Sequence, residues 1–419
     1  MSIAPVAAPL VARTVGIPDP GALLDLLPEH APLAWVRRSE GLVGWGEVLR
    51  IRTHGADRIG AAQRAWRDLV EHSVARDEVG LPGCGPVAFG SFAFSAGSPA
   101  GGVLVVPEVV LGRRGDRWWL TTITQGDTLP APPSLPESTP AGSPGLISFA
   151  DGALTEAQWQ AAVAEAIHRI ELGEVEKVVL ARDLQARTER RLDPRWVLKR
   201  LGERYPDCWT FSVDGLLGAT PEMLIRREKG LVTSRVLAGT IRRTGDDAHD
   251  LANAASLARS SKDLEEHVYA VRSVAEALAP HCTSMNVPDA PFVLHLANVM
   301  HLATDVTGVL ADHTDSLDLA AALHPSAAVC GTPTRGADRL IDEIERMDRD
   351  RYAGPVGWLD AAGDGEWGIA LRCARTDPDD PNRLRLFAGC GIVAGSDPAA
   401  ELAESTAKLV PMRDALATD

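Results

Sequence analysis

The last predicted helix of this 419-residue chain carries the spacing that most strongly suggests chemistry. Asp397 suits an N-cap and Pro398 suits the first helical position, so we expect a helix to begin there. Glu401, Glu404 and Lys408 then recur at i, i+3 and i+7, which places them on one face. Such a stripe is either a solvated salt-bridge face or part of a site for Mg²⁺, which prefers oxygen ligands.

Two further carboxylates stand at positions that could face a cleft. Glu266 lies early in an amphipathic helix that runs to Leu278, off its apolar face and in line with small side chains. Glu222 follows Thr220 and Pro221, which together predict the start of a short helix directly after a strand. Surface charge and helix-start carboxylates are common, so spacing alone leaves the role of both residues open.

A lysine begins the most clearly predicted strand. Thr155 and Gln158 form a capping-box signature, and Gly173 should end the helix that they start. The strand follows at once, and its alternation places Lys177 and Val179 on the same face. Lys177 is therefore either a surface lysine at a strand edge or a base that faces a cleft.

The remaining pattern indicates alternating short strands and helices with one proline-rich interruption. Residues 129–144 contain six prolines, which predicts a mobile surface loop. Residues 368–374 and 383–391 resemble the two strands of a hairpin.

Composition excludes several classes of function. The chain has 42 basic and 57 acidic residues, a net charge of −15, and no basic cluster, so nucleic acid is not an expected partner. The six cysteines lack zinc or C-x-x-C spacing, which indicates reduced thiols. There is no signal-peptide pattern or apolar run long enough to cross a membrane, so we expect a cytoplasmic protein without a membrane partner.

Ten short motifs, in unbroken order within about residues 150–412, together resemble the chorismate-utilising enzymes, and most of all the isochorismate synthases of siderophore and menaquinone biosynthesis. The resemblance implies one chorismate-binding catalytic domain over residues 1–419, of the α/β (α+β) class, with two sheets and flanking helices around a central cleft. The motifs are KVVLAR (177–182), GATPEML (218–224), LAGT (237–240), SKDLEEH (261–267), LHPSAAVCGTP (323–333), YAGPVGW (352–358), GDGEW (363–367), LRCA (371–374), LFAGCGIV (386–393) and ELAESTAKL (401–409).

The resemblance also implies a role for individual residues. Lys177 would be the general base that activates water, and Glu222 the general acid that faces the departing hydroxyl. Glu266 and Glu404 would hold the cofactor Mg²⁺, with Glu401 in support through water. The residues implied in substrate binding are Gly239, Thr240, His301, Ala328, Tyr352, Arg372, Gly389, Gly391 and Lys408.

The chemistry of the implied substrate agrees with these residue types. Chorismate carries two carboxylates, and a planar arginine fork binds a carboxylate through two hydrogen bonds. A magnesium ion neutralises carboxylate charge and stabilises charge that develops during the reaction. A ring hydroxyl leaves more readily when an acid protonates it, and water attacks more readily when a neutral base takes its proton.

Four positions favour one reaction within the family. By this resemblance, Ala238 occupies the position at which aminodeoxychorismate synthases typically have a nucleophilic lysine. Lys177 occupies the position at which the members that use ammonia usually have glutamine. His324 and Ala328 resemble isochorismate synthases, whereas anthranilate and salicylate synthases tend to have Phe and Thr there. We therefore expect isochorismate synthesis without an obligate glutaminase subunit. Salicylate synthase is the alternative enzyme, and a catalytically silent chorismate-binding homologue is the non-enzymatic alternative.

Overall fold

The computed structural model describes residues 8–296 and 299–418, apart from the side chains of Lys262 and Glu266. Within them, two β-sheets form the framework and eight α-helices pack around it. The helices are α1 (Arg58–Glu71), α2 (Glu156–Glu171), α3 (Pro194–Arg204), α4 (Asp247–Leu257), α5 (Ser261–Leu278), α6 (Ser316–Leu323), α7 (Thr334–Ile344) and α8 (Pro398–Leu416).

The strands are distributed over the whole described part of the chain. They are β1 (Leu10–Ile17), β2 (Leu33–Arg37), β3 (Glu40–Trp45), β4 (Leu49–Thr53), β5 (Val74–Asp77), β6 (Val87–Phe92), β7 (Gly102–Val106), β8 (Val109–Arg114), β9 (Arg117–Gln125), β10 (Ile147–Asp151), β11 (Lys177–Thr188), β12 (Trp209–Val213), β13 (Leu216–Thr220), β14 (Met223–Glu228), β15 (Leu231–Arg242), β16 (Cys282–Asn286), β17 (Phe292–His295), β18 (Val299–Leu310), β19 (Gly331–Thr332), β20 (Pro355–Asp360), β21 (Gly365–Ile369), β22 (Cys373–Thr376) and β23 (Arg383–Ile392).

The first sheet contains 13 of the described strands and the second contains 10. The order in the first sheet is β10-β11-β23-β22-β13-β12-β2-β3-β8-β9-β1-β5, with β19 against β11. The order in the second sheet is β16-β18-β15-β14-β21-β20-β6-β7-β4, with β17 against β18. The N-terminal and C-terminal halves contribute to both sheets, so neither half could bury its apolar surface alone.

Large aromatic side chains fill the space between the sheets. Trp35 and Phe211 extend from the first sheet and Phe89 and Trp367 from the second, and all four are buried in one core cluster. A second cluster lies on the opposite face of the first sheet, where α3 and α8 cover it. The first sheet is thus packed on both faces, which holds the strands beneath α8 in fixed positions.

The local signals predicted from the sequence agree with several element ends. Thr155 accepts a hydrogen bond from the Gln158 amide and completes a capping box at α2, and Gly173 follows that helix at φ 76°. Asp397 caps α8 as predicted. Residues 129–144 contain neither helix nor strand. Among the described helices, none is long and apolar enough to span a membrane.

Two predictions about local structure were wrong, and both concern passages between the sheets. Glu222 does not begin a helix, because Thr220 ends β13 in the first sheet and β14 begins at Met223 in the second. The strand predicted over 368–374 is interrupted, since β21 ends in the second sheet before β22 begins in the first. Arg372 lies in the interruption at φ 48°, a left-handed conformation outside the β region. The predicted pairing with β23 is confirmed for β22.

Candidate active site

A cavity of about 240 Å³ lies between strands of the two sheets and the N-terminal half of α8. Its wall contains every predicted site residue whose side chain the structure describes. These are Lys177, Glu222, Gly239, Thr240, His301, Ala328, Tyr352, Arg372, Gly389, Gly391, Glu401, Glu404 and Lys408. Lys177 and Val179 both line it, as the alternation along β11 predicts.

The carboxyl group of Glu222 is buried in the cavity wall at the passage from β13 to β14. Burial raises its pKa from 4.5 to about 7, although Lys177, Lys408 and Arg372 each oppose the shift. The Glu222 amide bonds to Thr220 Oγ1 at 3.3 Å, and its carbonyl oxygen accepts from the Ile369 amide at 3.1 Å. The backbone therefore fixes an acid that keeps a large protonated fraction near neutral pH.

Basic groups on different elements surround the same space. Lys408 Nζ donates to the Gly389 carbonyl oxygen at 2.9 Å and pairs with Glu404 Oε1 at 2.7 Å, so α8 is tied to β23 at the cavity. Burial lowers the pKa of Arg372, whose carbonyl oxygen accepts from the Ala219 amide at 3.2 Å. A dianionic ligand would meet fixed positive charge from both groups.

A bulge in β15 shapes the opposite wall. Gly239 has φ 76° at the point where the pairing with β18 shifts by one residue between Ala238 and Thr240. The shift brings Thr240 Oγ1 to 3.0 Å from His301 Nδ1. Burial lowers the pKa of His301 to about 3, so its imidazole is neutral and serves as a polar contact instead of a cation.

Glycine is required where β23 approaches β11. A Cβ atom at Gly389 would lie 2.8 Å from the Leu180 carbonyl oxygen and 3.2 Å from the Tyr352 hydroxyl. The Tyr352 ring stacks on Phe387 with centroids 5.2 Å apart, and burial raises the pKa of its hydroxyl, which stays protonated. Glycine thus allows β23 and Tyr352 to approach closely, and both Gly389 and the neutral Tyr352 hydroxyl line the cavity.

Two carboxylates of α8 offer the oxygen ligands that a magnesium ion requires. Ligand atoms of Glu401, Glu404 and Cys390 all lie within 4.8 Å of one another. Burial raises the pKa of Cys390 to about 12, and its thiol donates to the Glu401 carbonyl oxygen at 3.2 Å, so this thiol is no thiolate ligand. The two carboxylates fit a hard cation. Glu266 lies on α5, but its side chain is outside the described part of the structure.

The cavity also contains residues that the sequence analysis missed. Asp263 lies one turn before Glu266 on α5 and adds a carboxylate, which its place in SKDLEEH could have signalled. Arg349 adds a buried guanidinium from the segment after α7. His324 lies outside the cavity, where its Nε2 is 3.1 Å from the Phe94 carbonyl oxygen. Its influence on the reaction would therefore be indirect.

Comparisons with known proteins agree on one family. A family model described as "Chorismate binding enzyme" matches residues 28–417. Isochorismate synthase DhbC of Bacillus subtilis is 40% identical over 269 residues, which cover 61% of this chain and 67% of that protein. The salicylate biosynthesis isochorismate synthase of Pseudomonas aeruginosa is 33% identical over 416 residues, 92% of this chain and 84% of that protein.

Solved structures agree with the sequence relatives. The menaquinone-specific isochorismate synthase MenF of Escherichia coli superposes with a TM-score of 0.79 at 25% identity, over 98% of this chain and 96% of that chain. The fold class and the family resemblance predicted from the sequence are thereby confirmed.

Proposed function

Because this chain belongs to the chorismate-binding enzyme family, we propose that it is an isochorismate synthase, an isomerase that adds water to one ring carbon of chorismate while a hydroxyl leaves from another. One observation carries the proposal. Glu222, an acid with a pKa of about 7 at the passage between the two sheets, shares the cavity with Lys177, an amine at the start of β11. An acid and a base on separate walls suit a reaction in which one group gains a proton and another loses one.

Glu222 would act as the general acid. Its carboxyl proton would pass to the departing ring hydroxyl, which then leaves as water. Since its pKa lies near 7, a large fraction of the group is protonated at neutral pH and the proton is released readily. The backbone bonds on both sides of Glu222 would keep the carboxyl in place during the transfer.

Lys177 would act as the general base from the start of β11. It would take one proton from the attacking water, whose oxygen forms the new carbon–oxygen bond. One water enters and one leaves, so substrate and product are isomers. The lysine then returns its proton to solvent and the glutamate regains one, which restores the enzyme.

Substrate carboxylates would bind at the basic side of the cavity. The guanidinium of Arg372 offers paired donors to one carboxylate, and Lys408 places charge beside the open backbone of Gly389. Thr240 and the neutral His301 would orient the ring by hydrogen bonding. Buried donors in fixed positions limit the orientations in which chorismate can bind.

Glu401 and Glu404 would hold Mg²⁺, together with Glu266. When bound, the ion would neutralise a substrate carboxylate and stabilise charge as the ring double bonds shift. The α8 carboxylates come from successive turns of a helix capped by Asp397, so their spacing is fixed by the backbone. The Lys408 ion pair with Glu404 limits the rotation of that carboxylate.

The nature of the nucleophile distinguishes this reaction from those of related enzymes. Ala238 lines the cavity and cannot form a covalent bond to the ring, so no lysine nucleophile is present at that point. Lys177 suits water, which needs a base, and no ammonia-supplying partner is expected. Ala328 also lines the cavity wall and leaves space beside the ring.

Proton NMR of one reaction tests the proposal. The full chain with chorismate and Mg²⁺ should produce isochorismate, and the same mixture should form when the reaction starts from isochorismate. Enzyme-dependent pyruvate together with salicylate would instead assign salicylate synthase. Unchanged chorismate over a wide range of Mg²⁺ concentrations would contradict any isomerase function.

A further inference from the structure

A buried ion pair at the cavity wall lies between the end of α7 and β20. Glu345 and Arg349 have side chains only 1% and 2% exposed, and Arg349 Nε donates to Glu345 Oε2 at 2.9 Å. A second guanidinium nitrogen also bonds to Glu345. The ring of Phe94 packs against the guanidinium at 4.2 Å, so water has little access to either charge.

The remaining bonds of this pair reach the backbone of two neighbouring segments that line the cavity. Arg349 Nη2 donates to the Val179 carbonyl oxygen at 2.7 Å, and Nη1 donates to the Val329 carbonyl oxygen at 2.9 Å. Glu345 Oε1 accepts from the Ala181 amide at 2.7 Å. Val179 lies two residues after Lys177, and Val329 follows Ala328 directly.

These bonds satisfy backbone groups of β11 at an edge where no neighbouring strand of the described structure pairs with it. Its first residues pair with β19, and the Val179 amide bonds to the Cys330 carbonyl oxygen. β10 begins to pair with β11 only at Leu184. In the gap, Glu345 and Arg349 supply the partners that a neighbouring strand would otherwise provide.

We propose that Glu345 and Arg349 are positioning residues, which hold the strand of Lys177 and the neighbouring segment of Ala328 in a fixed relative position in the cavity wall. This inference rests on the proposed function, because Lys177 is assigned there as the base. A buried ion pair contributes little to stability compared with apolar side chains of similar size, so its value here is geometric. One guanidinium that bonds to both segments transmits any displacement of one segment to the other.

The test compares Arg349→Lys with a matched control, Arg227→Lys. Arg227 is also buried, pairs with Asp364 at 2.5 Å and donates to the Ala362 carbonyl oxygen at 3.1 Å, but it lies outside the cavity wall. An ammonium group cannot bond to the carboxylate and both carbonyl groups in the fork geometry of arginine. Both variants replace one buried guanidinium group with an ammonium group, so both should lose a similar amount of thermal stability.

Only the cavity variant should lose turnover. We expect Arg349→Lys to lower kcat about 10²-fold with little change in the KM for chorismate, since misplaced catalytic groups reduce rates by about this factor. Free guanidinium at low concentration should partly restore kcat in Arg349→Ala. Glu345→Gln keeps an acceptor for the Ala181 amide and should show a smaller loss of kcat. This variant tests the positioning role if Arg349→Lys does not fold.

The outcomes separate the two proposals. Turnover of chorismate by the wild type and by Arg227→Lys supports the proposed function, whatever the Arg349 variants do. A folded Arg349→Lys or Glu345→Gln with the kcat of the control would overturn the positioning role. A loss of kcat in Arg227→Lys as large as that in Arg349→Lys would also overturn it, because the effect would then follow from stability.

Discussion

Glu222 should make the stability of the protein depend on pH in a direction opposite to that of most carboxylates. Its folded pKa is about 7 instead of 4.5, because the group is buried. Between these values the native state binds more protons than the unfolded chain, so stability should fall as the pH rises. Well above pH 7 the carboxyl group is ionised in both the native and the unfolded state, and the free energy of unfolding stays lower by the full amount.

The magnitude follows from the same two pKa values. At about 1.4 kcal/mol per pKa unit, ionised Glu222 lowers the free energy of unfolding by about 3 kcal/mol. About 2 kcal/mol of this should develop between pH 5.5 and 8. Glu222→Gln removes the ionisation, so its stability relative to the wild type should rise by that amount across the interval.

Urea unfolding at several pH values, followed by tryptophan fluorescence, measures this difference. Burying the glutamine amide of the variant changes its free energy of unfolding by an amount that does not depend on pH. This amount cancels, because the test uses only how the difference in unfolding free energy between wild type and variant changes with pH. In kinetics, Glu222→Gln should lose turnover by about 10² or more. A stability difference that stays constant within about 0.5 kcal/mol would refute the assignment of a buried, protonated Glu222.

Three further substitutions test other parts of the site. Lys177→Ala should lower kcat by about 10² with the fold intact, and Lys199→Ala, which removes an exposed lysine paired with Asp25, should leave the rate unchanged in the same assay. EDTA should abolish activity, and Glu404→Ala should weaken Mg²⁺ binding measured by calorimetry; full activity after exhaustive chelation would contradict the metal site. Arg372→Lys should raise the KM for chorismate about tenfold, since it loses the paired donors, and an unchanged KM would argue against a carboxylate contact.

The sequence predicted those parts of the site that depend on local signals. The Asp397 cap sets the register of α8, and its i, i+3, i+7 spacing places Glu401, Glu404 and Lys408 along the cavity wall. Both the cap and the spacing act within a few residues, so no tertiary contact is needed to predict them.

The errors have a tertiary cause. Thr220 and Pro221 form an acceptable helix start, yet the chain instead passes from one sheet to the other there, and strand pairing on both sides decides the conformation of Glu222. Arg372 lies at the corresponding return passage, where a sequence reading as one strand is divided between two sheets. Local propensity cannot show that a segment changes sheets.

The contacts of Arg349 with the backbone of β11 could not be predicted from the sequence either. Its i, i+4 spacing from Glu345 is common on helix surfaces, and only the three-dimensional structure shows that both side chains are buried against the backbone of β11.

The central claim is that solvent water becomes the new ring hydroxyl, with Lys177 as its base. The direct measurement is mass spectrometry of the product formed from chorismate and Mg²⁺ in oxygen-18 water. We predict one oxygen-18 atom in the isochorismate and, as the reverse reaction proceeds, in the recovered chorismate, with labelled product forming about 10²-fold more slowly when Lys177→Ala replaces the wild type. Isochorismate that forms at the normal rate without the label would contradict the account, because the hydroxyl would then have moved within the substrate.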